Sequence, residues 1–91
     1  MPYIDPEIRT VYDSGVGDLA SALCFIMDPL VRAGEANYVI TTLLLKAFPE
    51  RRYGIMALVD GILAGVSKEY YEKHVRPYEE EKIMENGDLP W

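Results

Sequence analysis

The chain predicts an all-α fold, a small helical bundle of three main helices with short helical pieces at both ends. Three observations lead there. Apolar residues recur at three- and four-residue intervals through the middle of the sequence. No stretch alternates polar and apolar residues over a useful strand length. Pro and Gly fall where such helices would begin and end. With 91 residues there is room for one domain, 1–91, and too little chain for two independent cores.

The elements follow in order. Asp5-Pro6-Glu7 reads as a helix start, with Asp5 as N-cap, Pro6 at the first helical position and an acid in the first turn. That helix is expected to reach about Tyr12, with Ile8 and Val11 facing inward, before Asp13-Ser14-Gly15 and Gly17 loosen the chain. From Asp18, the spacing of Leu19, Leu23, Ile26 or Met27, and Leu30 predicts a helix that Pro29 kinks or stops near Asp28. Ala33-Gly34 is the next predicted break. Ala36, Val39, Ile40, Leu43, Leu44, Ala47 and Phe48 then mark an amphipathic helix ended by Pro49. A long helix is expected from about Arg52 to Val75, with Ile55, Leu58, Val59, Ile62, Val66 and Tyr70 along one face. Pro77 should interrupt it, leaving a last short helix to about Glu85 before Asn86-Gly87.

Charge narrows the function classes. Fifteen acidic and nine basic side chains give a net charge of −6. Residues 1–68 carry eight acids and six bases, residues 69–91 seven and three, so the tail holds −4 of that charge. Such a chain repels DNA, RNA and anionic lipid at long range, which argues against non-specific nucleic-acid binding. The one cysteine, Cys24, excludes an internal disulfide and a cysteine-based zinc site, and its apolar neighbours predict a buried, inert thiol. The N-terminus shows no basic region followed by an apolar signal core. The longest nearly uncharged run, Ile55 to Val66, is too short to span a bilayer. A soluble, cytoplasmic protein with no membrane partner is the expectation.

The candidate site is the tail. Tyr70, Tyr71, Tyr78 and Trp91 crowd together there with Arg76 and seven carboxylates. Part of this is the grammar of a short helix: Pro77 first, Glu79, Glu80 and Glu81 against the positive helix end, and Asn86-Gly87 as the stop. That grammar has no need of the rings or of Arg76. Flat rings beside a guanidinium suit a stacked base or a partner's surface, and Arg51 and Arg52 are further cations that could meet phosphate. Asn37 and Tyr38, read as the opening of the second main helix, are structural or ligand-facing. His74 reads as a solvated side chain. Asp60 lies on a face of small residues, which predicts a buried contact, with Arg51, Arg52 or Arg32 as possible partners. Gly15-x-Gly17 is no phosphate loop, because no strand precedes it and no lysine lies near. With one histidine and one cysteine, no catalytic triad can be assembled.

Two acidic pairs, Glu69-x-x-Glu72 and Glu85-x-x-Asp88, resemble the E-x-x-E…E-x-x-D pattern of all-α nucleotide pyrophosphohydrolases, the MazG-like and dimeric dUTPase-like enzymes. That resemblance implies an Mg²⁺-dependent enzyme holding the metal on a triphosphate with Glu69, Glu72, Glu85 and Asp88. The chain departs from the pattern where Gly87 and Pro90 set Asp88 beyond a helix end. A broader resemblance rests on M-P-Y-I at the start, G-E-A-N-Y-V-I-T-T-L-L-L over 34–45 and P-Y-E-E-E-K-I-M-E-N-G-D over 77–88. These segments resemble a family of short uncharacterised proteins of phages and scattered prokaryotes, classed as a domain of unknown function. The resemblance implies a small α-helical domain of phage type and supplies no activity. Ala64 stands where that family tends to carry an acid.

The function expected from these readings is a non-enzymatic, homo-oligomeric binding protein without a cofactor. It would sequester a small nucleotide-like signal or a host factor in phage–host conflict. The alternative is an inhibitor or adaptor that presents the acidic-aromatic tail to a partner protein, and the Mg²⁺-dependent enzyme stands behind both.

Overall fold

Asp5 closes the first turn of a helix that runs much further than its glycines suggest. In the computed structural model, which describes residues 2–91, α1 spans Pro6–Cys24. The Asp5 carboxylate accepts the Glu7 N–H at 2.9 Å and Pro6 sits in the first turn. The predicted break at 13–17 is absent, so the separate short N-terminal helix and the new start at Asp18 are both corrected. A glycine inside a helix costs about 0.8–1.0 kcal/mol relative to alanine, but it keeps its N–H. Gly15 and Gly17 also stay at negative φ. They weaken the helix without ending it.

α2, Pro29–Ala47, passes through Ala33-Gly34 in the same way. Asn37 and Tyr38 therefore lie in its interior and do not open it. Pro29 starts α2 where it was expected to end its predecessor, with Asp28 accepting the Leu30 N–H at 2.9 Å. The short connection between the helices is fastened from downstream. Arg32 donates from Nε and Nη2 to the Ile26 carbonyl at 2.9 and 2.7 Å, satisfying an acceptor that the end of α1 leaves open. Pro49 stops α2 as predicted, since the residue before a proline is pushed out of the helical region.

The chain divides into two units, Met1–Arg51 and Arg52–Trp91. The second is one continuous helical run. α3 spans Tyr53–Tyr70, a wide π turn spans Tyr71–Val75, and α4 spans Arg76–Asn86. Pro77 does not interrupt it, so the separate C-terminal helix is also corrected. Having no N–H, Pro77 cannot return a bond to the Lys73 carbonyl, and the ladder must change just there. It changes by widening, with the Arg76 N–H reaching the Tyr71 carbonyl five residues back. Gly87 then ends the run at φ 84, ψ 152, a backbone region that essentially glycine alone occupies.

The architecture is all-α, and among the described residues there is no strand. Nor does any of these residues become buried. Residues 2–22 are exposed throughout, including Ile8 and Val11, which were predicted to face inward. Partial cover begins at Leu23 and continues at Ile26, Arg32, Ala36, Val39, Leu44 and Phe48 in the first unit. In the second it is found at Ile55, Val59, Glu69, Glu72 and Val75. Cys24 is exposed, against the expected buried thiol, because it is the last residue of α1. Asp60 is exposed too, on the side of α3 away from Ile55, Val59 and Ile62, and the predicted buried contact is not made. Among the described residues, no helix is long and apolar enough to cross a membrane.

Candidate functional site

The wide turn decides which tail residues meet. A turn closed by an i→i+5 bond takes up about one residue more than an α turn. Across it, residues eight apart therefore share a face where seven apart normally would. Tyr71 and Glu79 are such a pair. The Tyr71 hydroxyl donates to the Glu79 carboxylate, and that bond, together with the charge of Glu79, raises the Tyr71 pKa above the usual tyrosine range. Two more contacts bracket the turn. The Tyr70 and His74 rings lie 5.0 Å apart at 52°, and Arg76 Nη2 meets Glu72 Oε1 at 3.2 Å. The Arg76–Glu72 pair is largely solvated and contributes little to stability.

This overturns half of the helix grammar read from the sequence. Because Val75 is itself helical and makes no side-chain cap, α4 has no free N-terminus for Glu79, Glu80 and Glu81 to complement. Glu79 is there for Tyr71. The other half holds: Asn86 is the last helical residue and Gly87 supplies the positive φ that ends the run.

Beyond Gly87 the chain hooks back. Asp88 Oδ1 accepts the Leu89 N–H at 2.6 Å and the Trp91 indole N–H at 3.2 Å. Trp91 and Leu89, with Tyr78, Lys82 and Ile83 of α4, line an open hollow of ≈ 430 Å³ that the carboxylates of Glu79 and Asp88 also border. Lys82 already sits 5.4 Å from the centre of the Tyr78 ring and 3.1 Å from Glu85 Oε2. A cation over a tyrosine face, anchored by a carboxylate, is the interaction this surface offers.

The sequence-predicted site residues are thus divided. Tyr70, Tyr71, Arg76 and Tyr78 come together along the wide turn and α4. Arg52 precedes α3 and lies at the far end of an 18-residue helix from Tyr70, about 27 Å at 1.5 Å per residue. Arg51, Asn37 and Tyr38 belong to the first unit. There Thr41 Oγ1 and Asn37 Oδ1 are 3.4 Å apart within α2, and Tyr38 is exposed. Of the proposed metal ligands, Glu72, Glu85 and Asp88 are engaged by Arg76, Lys82 and Trp91. Glu69, Glu72, Glu85 and Asp88 form no metal-holding group, since among the described residues no three His, Cys, Asp or Glu side chains do.

Sequence reasoning missed Lys82, Glu79, His74 and the structural clamp of Arg32. Three of these had a legible signal: Tyr78–Lys82 and Tyr70–His74 are four apart and Lys82–Glu85 three apart, the spacings that meet on a helix. Tyr71–Glu79 had none, because eight residues align only across a π turn.

The family whose sequence model matches the chain is described as a domain of unknown function, DUF6899, and the match covers residues 1–89. The chain belongs to that family. No curated protein and no solved structure matches it.

Proposed function

We propose that this member of the DUF6899 family is a non-enzymatic, homo-oligomeric binding protein of phage type. It acts in the host cytoplasm and captures a host factor or a small nucleotide-like signal. One observation carries the proposal: apolar helix faces are laid out in regular stripes, yet no described residue is buried. A stripe of Ile, Leu, Val and Tyr at helical spacing is a surface built for contact. A chain that leaves its stripes open works by association.

The geometry of the tail favours a protein as the captured partner. Each cation near the rings already faces a carboxylate, Arg76 with Glu72 and Lys82 with Glu85. A phosphate approaching Tyr71 or Tyr78 would also meet Glu79, Glu80 and Glu81. A lysine or arginine of a partner would meet those same carboxylates favourably and could take the place of Lys82 over Tyr78.

Titration calorimetry against a Lys/Arg-rich peptide and a panel of cyclic and linear nucleotides tests this. Salt-sensitive peptide binding that disappears when residues 77–91 are removed supports a protein partner, and nucleotide heat supports the signal. Pyrophosphate release from nucleoside triphosphates with Mg²⁺, lost on Glu69→Ala, would replace both with the enzyme. A protein that stays monomeric and takes up neither probe overturns the proposal.

A further inference from the structure

The longest uncovered stripe lies on α1. Ile8, Val11, Tyr12, Gly15, Leu19 and Ala22 fall within one face of the helix, at the alternating three- and four-residue steps that let two helices pack along a seam. Nothing in the chain covers them, since every residue from 2 to 22 is exposed. The stripe also has a centre. Gly15 is the middle residue of Pro6–Cys24, and positions at equal distances on either side of it are matched in character. Ile8 corresponds to Ala22, a large residue to a small one. Val11 corresponds to Leu19, both apolar. Tyr12 corresponds to Asp18, a hydroxyl donor to a carboxylate at the rim.

We propose that α1 pairs antiparallel with α1 of a second copy of this chain, the two helices crossing at Gly15. This rests on the homo-oligomer reading above and names its seam. A two-fold axis through Gly15 brings position i of one copy against position 30−i of the other, so the stripe is its own complement, as an isologous contact requires. Ile8 then fills the space above Ala22, and Tyr12 reaches Asp18 of the second copy. Gly15 lets the backbones approach, and a Cβ built there meets nothing within 4 Å in the chain alone. Area supports the choice of occupant. The chain exposes 8301 Å², whereas a compact monomer of 10.3 kDa exposes about 5,400 Å². The surplus, about 2,900 Å² per copy, covers what obligate homodimers bury, about 1,000–2,500 Å² on each partner.

Gly17 is the internal control. It is equally open but lies on the opposite side of α1. In the full chain, Gly15→Leu is expected to weaken self-association at least tenfold by sedimentation, and Gly17→Leu to leave it unchanged. Both replacements favour the helix, so loss of α1 cannot imitate the result. In a Cys24→Ser background, Gly15→Cys should cross-link to its own equivalent through a short bis-maleimide, and Gly17→Cys should not. If the wild-type protein associates but Gly15→Leu associates equally, or the cross-link is absent, the seam is wrong while the homo-oligomer stands. A wild-type protein that is monomeric at every concentration removes both.

Discussion

Diluting the protein a hundredfold should lower its melting temperature by about 7 °C, whereas a chain that folds alone would not respond to dilution. The reasoning starts from the absence of any buried described residue. Hydrophobic burial is the main term set against chain entropy, so the open stripes must be covered for the fold to persist. If a second copy covers them, melting and dissociation are one event. Two chains of 91 residues then gain about 0.4 kcal/mol/K of entropy on melting, at about 2.1 cal/mol/K per residue. Each tenfold dilution removes about 1.4 kcal/mol from the assembled state. The quotient is about 3.6 °C per decade. Far-ultraviolet circular dichroism in cells of different path length covers the range. A melting temperature that is unchanged across it would refute the argument, because the stripes would then be covered within one chain or not at all.

Three further outcomes are expected. Because the folded-state pKa of Tyr71 is raised, its bond to Glu79 contributes stability below the unfolded tyrosine pKa and loses it as pH rises through the folded value. Tyrosinate absorbance should show one late-titrating tyrosine, and Glu79→Gln should move it down. Arg32→Ala should cost about 1.5–3 kcal/mol in urea unfolding, the worth of hydrogen bonds from a charged donor, while Lys, which lacks the guanidinium fork, restores only part. Gly87→Val should cost about 1–3 kcal/mol locally, since φ 84 with ψ 152 strains any side chain. Faster amide exchange over Ile83–Asn86 would register it.

The helical class was legible because spacing alone fixes it: Ala36, Val39, Leu43 and Ala47 cannot line one face of a strand. Helix ends marked by a proline with a cap, as at Asp5-Pro6 and Phe48-Pro49, were legible for the same local reason. Breaks assigned to Gly15, Gly17 and Gly34 were not found, because glycine lowers helix stability without removing a hydrogen bond. The rule that fails at Pro77 is likewise local, since the chain widened its ladder where a straight helix would have had to stop. At the site, Tyr70, Tyr71, Tyr78 and Arg76 were readable as a cluster. Their partners were only partly so, because Glu79 depends on a turn whose width no residue type announces.

That wide turn means the chain carries one residue more between Tyr70 and Arg76 than an α-helix of the same phase would hold. Elsewhere in α3 or α4, deleting a residue would swing everything downstream by about 100° and scramble the face it presents. Within Tyr71–Val75, the same deletion would leave the downstream phase intact. It would, however, return Pro77 to an ordinary ladder, where its ring clashes with the carbonyl four residues back. The spare residue and the proline therefore form a compensating pair: this helix can be shortened without changing its outward face only if Pro77 is replaced in the same step.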